Sequence, residues 1–154
     1  MNGNTILVAE DIRQDVDFLK AMFEECRITN PVRVVPDGEV LLSYLKGEGI
    51  YADRAQYPLP ILLLLDLKMP RKDGLQALTW IQAEFKPQFP VIVLTGSKDV
   101  QEMNKAFMLG ARSFLSKPLQ KKEFRTALCS LKDIQIEGDD ESEAWESFTP
   151  PVGN

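Results

Sequence analysis

The sequence contains no histidine, only two cysteines and no long apolar run. Without histidine, Ser/His/Asp catalysis and most zinc sites are excluded, and any phosphohistidine chemistry needs a second protein. Cys26 and Cys129 fall on separate helical patterns without metal-ligand or redox spacing, so buried thiols are expected. The apolar run Pro60 to Leu65 is far too short to span a bilayer. The N-terminus has no basic segment leading into an apolar stretch, so the chain reads as soluble and cytoplasmic, with no membrane partner. Basic charge is also scarce, with 18 Lys and Arg against 23 Asp and Glu, a net charge of −5. The deficit lies at the end: from Asp133 onward there are seven acidic residues and no Lys or Arg, which leaves residues 1–132 at 18 against 16, or +2. A nearly neutral body with an acidic end is a poor electrostatic footprint for nucleic acid, and no direct nucleic-acid binding is expected.

What is present suffices for one core: 44% of the 154 residues are hydrophobic. Short apolar runs at Thr5–Ala9, Val32–Val35, Ile61–Leu65, Val91–Leu94 and Ser113–Leu115 read as strands, several of them apolar enough to be buried on both faces. Between them, Ile12, Val16, Leu19, Phe23 and Cys26 recur at helical steps, as do Leu75, Leu78, Ile81 and Phe85. Val100, Met103 and Phe107 repeat the step, followed by Phe124, Leu128 and Leu131, and a shorter helix runs from about Glu39 to Lys46. Five βα units predict an α/β domain with a doubly wound five-stranded parallel sheet and helices on both faces. Two segments fall outside this order. Gly47–Leu59 is a long connection, read as a surface loop. The acidic C-terminal segment, 133–154, reads as a flexible tail after a body of residues 1–132, although Trp145 and Phe148 could dock on a surface.

In an open parallel sheet, ligands bind beyond the C-terminal strand ends. Glu10 and Asp11 follow the first strand, Asp66 the third, Thr95 the fourth, and Ser116, Lys117 and Pro118 the fifth. Each has a plainer reading. Asp11 with Gln14 could form a capping box, Asp66 could be a polar strand end, Thr95–Ser97 a helix-capping turn, Lys117 a solvated charge, and Pro118 the start of the last helix. Together they make a site, because carboxylates gathered after adjacent strands repel each other unless a hard cation lies between them. Mg²⁺ suits that role, bound by Asp11, Asp66 and phosphoryl oxygens, with Lys117 and Thr95 on the remaining oxygens.

These motifs resemble the response-regulator receiver family: Glu10-Asp11, Asp66-Leu67-Lys68-Met69-Pro70 with Asp73-Gly74, Thr95-Gly96 and Lys117-Pro118, in order across roughly residues 4 to 132. The resemblance implies a flavodoxin-like receiver fold. It also implies a phosphoryl group accepted on Asp66 from a sensor histidine kinase or phosphotransfer protein, in two-component phosphorelay signalling. Asp11 would then ligate Mg²⁺ directly, Glu10 through water and Lys68 through its carbonyl. Lys117 would contact the phosphoryl group, Thr95 and Phe114 would act as the switch, and the bond preceding Pro118 would be cis. Such a domain is not a classical enzyme but assists its own phosphorylation and dephosphorylation, with water access near Lys68 and Ser97 setting the decay. Glu10 stands where Asp is commoner, and Phe114 lacks the hydroxyl of the frequent Tyr. The end of the chain resembles single-domain regulators, and the segment from Gly47 to Asp66 is similar to regulators paired with phytochrome-type kinases. Family members often form homodimers through the face of the fourth helix, fifth strand and fifth helix. Two rivals are a phosphohydrolase, disfavoured by Lys68 where a second Asp is usual, and a degenerate receiver serving as a phosphorylation-independent docking module.

Overall fold

A computed structural model describes residues 4–85, 89–96 and 100–137. The chain alternates β1 (Ile6–Ala9), α1 (Arg13–Glu25), β2 (Val32–Val35), α2 (Gly38–Lys46), β3 (Leu62–Asp66), α3 (Gly74–Trp80), β4 (Val91–Thr95), α4 (Val100–Met108), β5 (Ser113–Ser116) and α5 (Lys121–Cys129). The strands form one parallel sheet in the order β2-β1-β3-β4-β5, the doubly wound architecture expected. No described helix is long and apolar enough to cross a membrane.

Strand periodicity sorts the apolar side chains between two layers. Ile6, Val8, Leu62, Leu64, Ile92 and Leu94 face Leu19 and Phe23 of α1 and Phe124 and Leu128 of α5. Leu7, Ala9, Leu63, Leu65 and Val93 face Leu41 and Leu45 of α2, Leu78 of α3 and Ala106 of α4. All four leucines of Leu62–Leu65 are fully buried, each contributing about 1.5–3 kcal/mol, which places β3 at the centre.

Some boundaries move. The strand ends shift so that Asp66, Thr95 and Ser116 are the last strand residues rather than the residues just beyond. The third helical pattern keeps α geometry only to Trp80, then widens into a π turn, Ile81–Phe85. Pro118 does not start α5, which begins three residues later behind Gln120. Cys26 is buried as expected, whereas Cys129 is only half-buried.

Gly47–Leu59 is not merely a surface loop. Gly47 takes a left-handed conformation (φ 73°) that closes α2, and a 3₁₀ turn follows at Gly49–Ala52. The Arg54 guanidinium then donates to the carbonyls of Leu45 (2.8 Å) and Tyr44 (2.9 Å) in the last turn of α2 and to that of Tyr57 (3.1 Å), tying the helix end to the connection. The rings of Tyr44, Tyr51 and Tyr57 pack with centroids 5.0–6.0 Å apart, and the Tyr44 hydroxyl donates to the Pro58 carbonyl.

Residues 133–137, expected within the tail, are held to the body. Ile136 pairs with Ile28 in an isolated antiparallel bridge. The buried Asn30 amide donates to the carbonyls of Asn4 and Asp133 and accepts from the Gln135 N–H, a fixed geometry that composition cannot announce. Trp145 and Phe148 lie outside the described residues.

Candidate functional site

The strand order reverses between β1 and β3, which opens a crevice at their C-terminal ends. Ala9 pairs with Leu65, so the next residues, Glu10 and Asp66, emerge at the same level. Glu10, Asp11 and Asp66 each offer a carboxylate oxygen, and the three lie within 4.8 Å of one another. Glu10 and Asp66 are buried, while Asp11 is exposed at the rim. Three carboxylates and no nitrogen or sulfur make a hard-oxygen set that fits Mg²⁺ or Mn²⁺ better than zinc.

Lys117 enters from the end of β5, where Thr95 pairs with Ser116 and the Lys117 N–H donates to the Thr95 carbonyl at 2.9 Å. Its ammonium donates to Glu10 Oε1 at 2.8 Å, Asp15 Oδ2 at 2.9 Å and Asp66 Oδ2 at 3.3 Å, so it is no solvated surface charge. Burial alone would lower the Lys117 pKa, but hydrogen bonds to Glu10 and Asp15 and the charge of Asp66 raise it above the ordinary lysine value. Glu10 moves up from 4.5 to about 7: burial is the largest cause, the hydrogen bond and charge of Asp66 add to it, and Lys117 opposes it. The Lys117–Pro118 bond is cis.

Backbone donors fix the carboxylates. The Lys68 N–H donates to Asp66 Oδ1 at 3.1 Å and the Ile12 N–H to Glu10 Oε2 at 3.3 Å. Asp11 forms no capping box with Gln14, because Ile12 occupies the N-cap of α1 without a side-chain cap. The capping box lies instead at α3, where Asp73 and Gln76 bond reciprocally. Gly74, the next residue, must lack a side chain: a Cβ there would lie 2.5 Å from the Asp66 carbonyl oxygen and 2.6 Å from Leu67 Cα. The Asp73-Gly74 pair thus shapes the loop that follows Asp66.

Thr95 is fully buried at the end of β4. Phe114 is half-buried and packs edge-to-face on Phe107 of α4, with centroids 5.5 Å apart. Ser97 lies outside the described residues. The structure therefore brings Glu10, Asp11, Asp66 and Lys117 together with the Lys68 backbone, and sets Thr95 on the adjacent strand. Two participants are additional. Asp15 shares Lys117; its sequence signal was its place four residues after Asp11. Glu102 on α4 pairs with Lys68 at 3.1 Å, and its Oε1 is buried without a hydrogen-bond partner among the described residues; nothing in local spacing points to it.

A family model described as the response regulator receiver domain matches residues 6–129. The response regulator Rcp1 of Synechocystis sp. is 27% identical over 133 residues, covering 86% of this chain and 88% of that protein. A response regulator in red light signalling of R. palustris, RPA3017, is 36% identical with a TM-score of 0.72, covering 83% of this chain and 90% of that one. The bacteriophytochrome response regulator AtBRR is 33% identical with a TM-score of 0.72, covering 85% and 94%. An Mn²⁺-bound form of Rcp1 is 25% identical with a TM-score of 0.70, covering 88% and 99%.

Proposed function

This chain belongs to the response regulator receiver family of two-component signalling, and we propose that it is a phosphorylation switch whose phosphoacceptor is Asp66. The observation that carries this reading is the buried Asp66 carboxylate, held by the Lys68 N–H on one oxygen and facing the Lys117 ammonium with the other. Its neighbours Glu10 and Asp11 complete an oxygen donor set. An Asp66 oxygen attacks the phosphorus of a phosphohistidine, the N–P bond breaks, and its electron pair returns to the imidazole. These 154 residues hold no histidine, so the donor imidazole comes from a kinase or phosphotransfer partner.

Asp11, Asp66, the Lys68 carbonyl and, through water, Glu10 would hold Mg²⁺, in keeping with the Mn²⁺-bound form of Rcp1. When bound, the metal neutralises charge between carboxylates and phosphoryl oxygens. Lys117 contributes an ammonium that burial has not neutralised, aimed at the same oxygens. Thr95, one strand over, supplies a hydroxyl to the phosphoryl group, and its inward movement gives Phe114 room to turn away from Phe107. Phosphorylation thereby shifts the population of two packings of the face formed by α4, β5 and α5, where partners or a second copy dock. The likeness to bacteriophytochrome response regulators favours a kinase of that type as donor.

Incubation with acetyl phosphate and Mg²⁺ followed by intact mass measurement tests the reading. One phosphoryl group is expected on the wild type and none on Asp66→Asn. Equal labelling of the two would refute it, and an unlabelled wild type would favour a phosphorylation-independent docking module.

A further inference from the structure

We infer that Asp15 is a positioning residue for Lys117, the carboxylate that keeps its ammonium aimed across the pocket while Glu10 and Asp66 serve the metal and the phosphoryl group. This inference rests on the function proposed above for the same site. An ammonium has three N–H donors, and here all three are in use, on Glu10, Asp15 and Asp66. The acceptors are not equivalent. Glu10 and Asp66 also belong to the three carboxylates gathered within 4.8 Å, and Asp15 does not.

That difference assigns the roles. A cation held by Glu10, Asp11 and Asp66 takes up the charge of two of the ammonium's three partners and repels the ammonium itself. Asp15 then remains as the countercharge that the metal does not share. Lysine needs such an anchor because its four-carbon stem is free to rotate and its compact ammonium, unlike a guanidinium fork, fixes no direction. The anchor is itself fixed: Asp15 sits in the first turn of α1, whose Leu19 and Phe23 are buried in the core. A first-turn acid also complements the helix dipole, a purely structural role that would leave Lys117 untouched.

Side-chain ammonium NMR on the full chain with ¹⁵N-labelled lysine separates the two, with the Lys117 signal identified by its loss in Lys117→Arg. In wild type and Asp15→Glu, a slowly exchanging Lys117 signal should persist when Mg²⁺ is added. In Asp15→Asn it should broaden away. Labelling by acetyl phosphate at saturating Mg²⁺ should slow at least about tenfold in Asp15→Asn and recover in Asp15→Glu, with the apparent Mg²⁺ Kd within about twofold throughout. A persistent ammonium signal in Asp15→Asn with Mg²⁺, or labelling as fast as wild type, would overturn the inference. If the wild type takes no phosphoryl group yet its ammonium signal depends on Asp15, the proposed function fails and the positioning role stands on the NMR alone.

Discussion

Lowering the pH from about 8 to about 6 should weaken Mg²⁺ binding roughly tenfold, through Glu10. This carboxyl is 1% exposed at the end of β1. Burial and the adjacent Asp66 hold its pKa at about 7 against the pull of Lys117. A metal and a proton compete for the same carboxylate. With a pKa of about 7, roughly nine-tenths of the Glu10 side chains are ionised at pH 8 and roughly one-tenth at pH 6. Glu10→Gln should bind Mg²⁺ more weakly than the wild type at pH 8 and lose most of the pH dependence. Calorimetric titration of both proteins at the two pH values decides it. A wild-type Kd that does not change, or a Gln variant that keeps the full slope, would refute the reasoning.

The same carboxyl sets a stability trend in the metal-free protein. Its pKa is raised in the folded state, so protonation favours folding: the contribution is fully present below 4.5 and is lost as the pH rises through about 7. The gap is worth about 3 kcal/mol. Glu10→Gln, a mimic of the protonated form, should therefore match the wild type near pH 4.5 and exceed it by about 3 kcal/mol at pH 8 in urea denaturation with chelator. A constant difference between the two proteins at both pH values would show that Glu10 is not the group responsible.

Other outcomes follow from the packing. Gly74→Ala should destabilise by about 1–3 kcal/mol and slow Asp66 labelling, because the added methyl meets the Asp66 and Leu67 backbone; denaturation and labelling kinetics check it. Phe114→Tyr should keep the response of dimerisation or partner binding to beryllofluoride, whereas Phe114→Ala should blunt it with Asp66 labelling near normal, as read by sedimentation. Deleting residues 138–154 should leave the Tm unchanged, since their composition holds no periodic apolar pattern. Deleting 133–154 should cost about 2 kcal/mol, because Asn30 then loses its bonds to Asp133 and Gln135.

The sheet was legible because its strands are short, apolar and separated by clear helical periods. Leu62–Leu65 suits a strand buried on both faces, and the alternation of Ile6 and Val8 against Leu7 and Ala9 carries through to the two helical layers. Less legible were features made by single polar contacts. Arg54 reaches three carbonyls around the α2 terminus, and Asn30 ties three separate segments together. Neither residue differs in type or spacing from a solvated one, so composition assigned Gly47–Leu59 to a loop and 133–137 to a tail.

The site divides along the same line. Asp66 and Thr95 end strands and Glu10, Asp11 and Lys117 follow them, and a parallel sheet delivers such residues to one edge whatever the helices do. Asp15 reaches the same edge by another route, since it lies in the first turn of α1 and its usefulness depends on how α1 is rotated on the sheet. That rotation is set by Val16, Leu19 and Phe23 being buried, which turns the face carrying Asp15 toward the end of β5. Residues at strand ends can thus be assigned from order alone, whereas residues within helices need the phase of the buried stripe. The same distinction explains Glu102, whose pairing with Lys68 depends on where α4 lies against the β3–α3 loop. Helix phase therefore decides both pairings: how α1 seats on the sheet sets the Asp15 partner of Lys117, and how α4 seats sets the Glu102 partner of Lys68.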